Sequence, residues 1–460
     1  MNPDVDLQPM SLQEFGYQEQ LRRVLTTKDL VIYGMIFMVP IAPYSVYGFV
    51  WNDSKGMVPL AYLLGLFGMF FTALSYAAMS RAFPLAGSVY TYAQRGLHPT
   101  AGFFSGWLIL LDYILVPSLL YLFSAVALRP ILPAVPAWIW LCGFISFNAL
   151  VNLIGIQCTA RVNRYMLAME LVTLALFLVL GLTALYGGAG AGRLTLQPIY
   201  DPSVFSFATV AGATSIAVLS FLGFDGVSTL SEENSGHEDS VGRATLLALV
   251  LVGALFMLQT WVASDLARGM HFSSADTAFY EVAERAGGAW LRLVTIVAVV
   301  LASAIANAMA AQAAVARILF AMARDCKLPA VFAKVHPRFK TPYVSTLAVA
   351  GVSMLVGLLF SDRVDDLTRI VNFGALSGFV LLHLSVINHF FIRRRSGDWM
   401  RHLLFPLIGL AVILYVLYEM DRAAKVLGGC WIAIGILYFL ILSHRAKRAV
   451  SLDVAAIRDE

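Results

Sequence analysis

The chain has 460 residues, of which 59% are hydrophobic and 13% charged, with a net charge of +4 and a mean hydropathy of +0.77. Soluble domains carry about 25% charged residues, so a soluble fold with a large core is excluded and an all-α polytopic membrane protein is implied. Cys142, Cys158, Cys326 and Cys430 show neither disulfide nor metal spacing. No Cys/His cluster, Ser-x-x-Lys, His-Glu-x-x-His or Gly-x-x-x-x-Gly-Lys pattern stands out, so enzyme chemistry, a cofactor, a metal and a nucleic-acid partner are not expected.

Residues 1–27 are polar and carry no signal-peptide pattern, so insertion is expected to use the first span. A bilayer crossing needs about 20 apolar residues. Twelve such runs are expected, at 29–51, 57–80, 101–127, 137–157, 163–187, 207–231, 242–264, 290–320, 343–361, 367–392, 402–419 and 424–443. Span 1 contains Pro40 and Pro43, with Gly34 and Gly48 on either side. Each interior proline removes a helical hydrogen bond and clashes with the preceding turn, so this span is expected to be interrupted. Phe83–Tyr92, after span 2, reads as a re-entrant or interfacial piece, or as a plain loop. In span 3, Asp112 and Tyr113 either line a cavity and meet a substrate amine or tie the span to a neighbour.

Span 5 contains Glu170, an ionisable group at membrane depth. It is either a coupling residue or a side chain reaching toward Arg161 and Arg164, the latter roughly 9 Å of helix rise away. Span 6 carries Ser220–Glu233, in which Gly223 and Gly226 weaken the helix around Asp225. Backbone unwinds at that depth only where it lines a protein-walled cavity. One reading is a broken helix facing a substrate; the other is a glycine kink with a hydrogen-bonded Asp225 and no ligand. Glu232, Glu233, Glu238 and Asp239 are expected on a solvated face. Asn307 and Gln312 in span 8 are expected to bond between helices, and His383, Asn388 and His389 in span 10 to pack or sit at an interface. The basic stretch 324–342 is an orientation anchor or part of a gate.

Interruptions in spans 1 and 6, five spans apart, fit two inverted five-span repeats around a midplane site. The expected division is a segment 1–27, repeats 28–190 and 205–395, two further spans within 400–445, and a tail 446–460. With both termini inside, 22 of the 32 Lys and Arg residues fall on the inner side, which supports cytoplasmic termini.

Several motifs now converge: Phe83-Pro84-Leu85-Ala86-Gly87-Ser88-Val89-Tyr90-Thr91-Tyr92, Gly106-Trp107, Leu111-Asp112-Tyr113, Ser220–Glu233, Arg324–Pro329, His336–Pro342 and Asn372-Phe373-Gly374-Ala375-Leu376. With them the chain resembles the amino acid–polyamine–organocation transporter superfamily over nearly its whole length after residue 20. Within that superfamily it is similar to the putrescine importers of enteric bacteria, which share Leu111–Tyr113, Ser220–Asp225, Ser231–Glu233 and Asn388–Phe390. The resemblance implies the LeuT-type fold. Two departures stand out. The putrescine importers place an aspartate where Ser45 stands, and a diamine wants an acid at each end. Many amino acid members have a Gly-x-Gly run in span 1 that holds the substrate carboxylate, and Met35–Pro43 lacks it. Ala160–Arg164 resembles proton-coupled members that place a lysine, standing in for a coupling sodium ion, where Glu170 falls.

The expected function is secondary active import of a small amine, polyamine or amino acid by alternating access, in a bacterial inner membrane, coupled to protons rather than sodium. An amino acid exchanger and a non-transporting nutrient sensor of the same fold are the alternatives. The expected substrate residues are Ile36, Met38, Pro40, Pro43, Tyr44, Ser45, Asp112, Tyr113, Phe221, Gly223, Phe224, Asp225 and Gly226, with Glu170 for coupling. Tyr44, Phe221 and Phe224 are expected as aromatic walls. The sequence does not set the oligomeric state.

Overall fold

A computed structural model describes residues 21–458, apart from 22, 129–133, 238, 276, 362–363 and 421. Residues 1–20 and 22 of the expected N-terminal segment thus lie outside the described residues, as does Glu238. The regular structure of the described residues is helical, with no strand among them beyond one isolated bridge, Leu25 to Asn234. Apolar side chains such as Phe67, Leu150, Val172 and Leu437 are exposed on the outer faces of the bundle, where a lipid phase matches them as water does not.

Span 1 is two helices, α1 (Thr27–Met38) and α2 (Pro43–Ser54), bent by 51°. A capping box starts α1: Thr26 accepts from the Asp29 amide at 3.3 Å, and the Asp29 carboxylate accepts from the Thr26 amide at 3.1 Å. It ends where Val39 takes a φ of +51° just before Pro40, which has no N–H to continue the ladder. The carbonyl of Pro40 accepts from the Gln259 amide at 2.8 Å, so the opened backbone is satisfied from a neighbouring helix, as membrane burial demands. Pro43 then opens α2 at a helix N-terminus, where its fixed φ fits.

α3 (Val58–Ala82) leads through Phe83–Gly87 into a short buried helix, α4 (Ser88–Gly96). α5 (Pro99–Leu128), α6 (Ala137–Ile154) and α7 (Ile156–Tyr186) follow. Span 6 begins as α8 (Phe207–Ala217), tightens into a 3-10 turn at Val218–Phe221, breaks, and resumes as a 3-10 helix from Phe224 to Glu233. Gly223 makes the break, with a φ of +109°. A Cβ there would lie 2.8 Å from the carbonyl oxygen of Phe37. Glycine therefore serves both the left-handed backbone and the close approach of the two interrupted spans.

α9 (Ser240–Leu266), α10 (Ala278–Gly287) and α11 (Ala289–Leu301) come next. α11 passes through a π turn at Ala302–Asn307 into α12 (Ala308–Arg324). α13 (Tyr343–Leu359), α14 (Val364–Val386), α15 (Phe405–Glu419) and α16 (Arg422–Arg458) complete the bundle. Among the described residues ten helical spans are long and apolar enough to cross a membrane, and the bent pair α1–α2 makes an eleventh. The expected span 343–361 is α13, at 17 residues shorter than the others, so the count of twelve is not reproduced. α10 was not anticipated. It sits between the seventh and eighth expected spans and packs Phe279 against Tyr44 and Tyr47 of α2.

Candidate functional site

The two breaks face one cavity, holding about 810 Å³ of free space when the solvent at its mouth is counted. Its walls come from both interrupted spans, from α5, from the π turn and the start of α12, and from α14. Met38, Ser45, Asp112, Tyr113 and Gly223 of the expected set line it. Ile36, Pro40, Pro43, Tyr44, Phe221, Phe224, Asp225 and Gly226 are not in its lining.

The three aromatic side chains expected as walls pack elsewhere. Tyr44 stacks on Phe279 at 3.7 Å and meets Phe177 edge-on. Phe221 packs on Tyr62 and Phe256, and Phe224 on Tyr76 and Phe379. Aromatic rings in the cavity come instead from Phe37, Tyr113 and Phe123. Sequence reasoning missed Val116, Leu119, Leu120 and Phe123 of α5, Leu219 of the 3-10 turn, and Ser303 and Asn307 of the π turn. Asn307 was visible as a polar residue in an apolar span, but its neighbours gave no sign that the span locally widens to π geometry, a distortion common at functional sites.

The carboxylate of Asp225 lies behind the cavity and braces the break. Tyr113 donates a short hydrogen bond to its Oδ2, Tyr76 donates to the same oxygen at 3.4 Å, and the Gly223 amide donates to Oδ1 at 3.2 Å. Ser88 donates to the Tyr76 hydroxyl at 3.4 Å and receives from Ser228 at 2.8 Å. This network joins α3, α4, α5 and the broken span. Asp112 differs from Asp225. It is 2% exposed and lines the cavity, and its Oδ1 has no hydrogen-bond partner.

Glu170 is 0% exposed, and neither carboxylate oxygen has a hydrogen-bond partner. The alternative in which it reaches the interface beside Arg164 is overturned, because Arg164 pairs with Asp29 at 3.7 Å while Glu170 stays inside. Glu170 does not line the cavity. Among the described residues no group of three or more His, Cys, Asp or Glu side chains could hold a metal ion.

Past the Asp225 end of the cavity, the expected solvated face of Glu232 and Glu233 is corrected. Both are 3% exposed. Glu233 contacts Arg317 of α12, itself 5% exposed. Glu232 pairs with Arg324 at 2.9 Å and accepts from the Ala86 amide at 2.9 Å. Buried charge of this kind persists only when paired and hydrogen-bonded. Tyr90 of α4 donates to Asp325 at 2.7 Å in the same region. In span 10, His383 is buried between Thr72 and Ser75, at 3.2 and 2.9 Å. Gln312 bonds across to Asn152 at 2.9 Å. Both fit the packing and interhelical roles expected of them.

Comparison with known proteins agrees with this architecture. Residues 30–426 match the family described as amino acid permease. The chain is 31% identical over 441 residues to the low-affinity putrescine importer PlaP of Escherichia coli K12, covering 94% of this chain and 96% of that protein. It is 26% identical over 457 residues to the branched-chain amino acid permease BcaP of Bacillus subtilis 168, with 94% and 95% covered. It is 23% identical over 456 residues to the methylthioribose transporter of the same organism, with 93% and 95% covered. Matched over most of its length by this family and by transporter relatives, the chain belongs with the carriers and not with the enzymes: it is a member of the amino acid permease family.

Proposed function

We propose that this permease is a secondary active importer of a small ammonium-bearing compound, an amine or an amino acid, working by alternating access around the cavity between spans 1 and 6. The observation that carries the reading is the meeting of two helix interruptions at one buried cavity beside the Asp112–Tyr113 pair. Broken helices offer backbone groups and a low dielectric to a substrate without exposing either to lipid. The activities of the relatives, import of putrescine and transport of branched-chain amino acids and methylthioribose, agree with a small organic substrate.

In this reading residues 28–190 and 205–395 form the two inverted repeats, and the helices within 400–445 stand outside them. Both termini are cytoplasmic and the membrane is the bacterial inner membrane. The Glu232–Arg324 and Glu233–Arg317 pairs then close the cytoplasmic end of the pathway, while the cavity lies beyond them toward the outside. Glu170 serves as the coupling group. An ionised carboxylate without a partner is costly in a protein interior, so a group that takes up and releases a proton during the cycle suits that position. Tyr44, Phe221, Phe224, Pro40 and Pro43 hold the breaks in shape from behind.

The test is counterflow in proteoliposomes loaded with unlabelled amines or amino acids. A carrier exchanges labelled substrate against the internal pool, and an inwardly directed proton gradient drives its accumulation. Binding with no exchange under any gradient would reduce the protein to a sensor.

A further inference from the structure

We propose that the turn joining α14 to α15 docks the headgroup of an anionic phospholipid, held by Arg394 and Arg395. α14 widens into a π turn at Ile387–Arg393, and a second π turn, Met400–Leu404, leads into α15. One apolar span ends at Arg393 and the next begins at Met400, so the residues between them lie at the edge of the bilayer, at the level of the lipid headgroups. From Arg393 to Arg401 four arginines stand against one acid, Asp398. A cluster of four or more cations at the end of a membrane span is a signature of anionic-lipid binding. Ile392, Trp399 and Met400 are exposed beside it. Bulk water does not favour three such side chains, whereas acyl chains and the interface do, tryptophan above all.

The turn has a fixed shape. The Arg394 amide donates to the His389 carbonyl at 3.1 Å and the Ser396 amide to the Phe390 carbonyl at 2.9 Å. The Phe390 and His402 rings stack at 4.4 Å with 8° between their planes, and Ser396 Oγ lies 2.7 Å from His402 Nδ1. Two of the four guanidinium groups are already engaged. Arg393 donates to the Arg95 carbonyl at 3.4 Å and to the Leu97 carbonyl, and Arg401 pairs with Asp398 at 3.4 Å. The Arg394 guanidinium has only the Phe390 ring, 6.0 Å away, and the Arg395 guanidinium has neither a hydrogen bond nor an ion pair among the described residues. Both side chains are exposed. Two consecutive residues thus carry free guanidinium groups, whose planar fork matches phosphate oxygens bidentately. The same turn closes the end of α4, where Asn388 donates to the Gly96 carbonyl at 2.6 Å alongside Arg393. A headgroup held here therefore steadies α4, and with it Ser88 of the Asp225 network.

The experiment follows thermal unfolding of the purified full chain in neutral detergent as palmitoyl-oleoyl phosphatidylglycerol (POPG), the matching phosphatidylcholine (POPC) or inorganic phosphate is added; stabilisation reads binding. Two free arginines of ordinary interfacial strength make POPG bind roughly thirtyfold more tightly than POPC, with no comparable effect from inorganic phosphate. POPG binding no tighter than POPC would overturn the proposal, and equal stabilisation by inorganic phosphate would overturn the lipid as occupant. Arg394→Gln combined with Arg395→Gln is expected to cut the POPG preference to about threefold or less. Arg81→Gln combined with Arg243→Gln removes two other exposed arginines, which pair with Asp239 at 3.3 and 3.2 Å, and is expected to keep the preference. An equal loss in both double variants would mean diffuse attraction to net charge, and the site would be wrong. Should the Arg394 and Arg395 double variant fail to fold, hydrogen–deuterium exchange on the unmodified chain decides. Amides of residues 394–396 are expected to exchange more slowly in POPG nanodiscs than in POPC nanodiscs, and equal exchange overturns the proposal.

Discussion

Replacing Glu233 by leucine removes one member of a buried ion pair and leaves the Arg317 guanidinium inside the bundle. Both side chains are almost without solvent contact, at 3% and 5% exposure, so screening by water does little to soften the loss. Breaking a buried pair at one partner costs about 3–5 kcal/mol. Arg317 keeps one further bond, from Nη1 to the Ala313 carbonyl at 2.8 Å, which places the expected loss near the lower end, about 3 kcal/mol. Arg317→Leu strands Glu233 in the same way and is expected to cost a similar amount. The double replacement puts hydrocarbon against hydrocarbon and is expected to lie within about 1 kcal/mol of the native protein, since apolar exchange of a buried pair is often neutral. The assay is reversible unfolding in mixed detergent micelles, followed by tryptophan fluorescence and arranged as a double-mutant cycle. If the two single losses simply add in the double variant, the pair is not coupled and the account of this closure is refuted.

Gly223→Ala is expected to cost about 1–2 kcal/mol from the left-handed backbone alone, with more from a Cβ placed 2.8 Å from the Phe37 carbonyl; thermal unfolding checks it, and an alanine variant of native stability would contradict the close packing of the two breaks. Glu170→Gln is expected to keep ligand-induced stabilisation and counterflow while losing accumulation driven by a proton gradient. Accumulation unchanged in that variant would remove Glu170 from the coupling step.

The interruptions were legible in the sequence because their causes are local. Pro40 and Pro43 lack amides, Gly223 tolerates a positive φ, and both facts hold wherever the chain goes. The side-chain partners were not legible, because they depend on which helices meet. Glu232 and Glu233 read as a solvated acidic run, yet Arg317 and Arg324 lie more than eighty residues further on and reach them only after α12 packs beside span 6. The aromatic side chains expected as walls pack elsewhere for the same reason. Tyr44 occupies the right segment, but α10, a helix without a strong apolar signature, presents Phe279 and draws the ring away from the cavity.

Contacts at both ends of α1 bear on how a carrier of this shape could open. At the break, Gly223 lies against the Phe37 backbone. At the other end, the amides of Val24 and Leu25 both donate to the Glu233 carbonyl at 3.0 Å, and the Ser235 amide returns to the Leu25 carbonyl at 2.9 Å. α1 and the 3-10 helix Phe224–Glu233 are thus fastened to each other at top and bottom. Their ties to α12 are different in kind: two ion pairs, one each from Glu233 and Glu232. Main-chain bonds and a glycine contact persist through a rigid-body motion, whereas ion pairs can be exchanged for water once an opening admits it. In the alternating-access reading, the half-spans that line the closed end therefore move as one body, and the energy separating closed from open is concentrated in Glu232–Arg324 and Glu233–Arg317. The double-mutant cycle at Glu233 and Arg317 measures one of those two contacts directly.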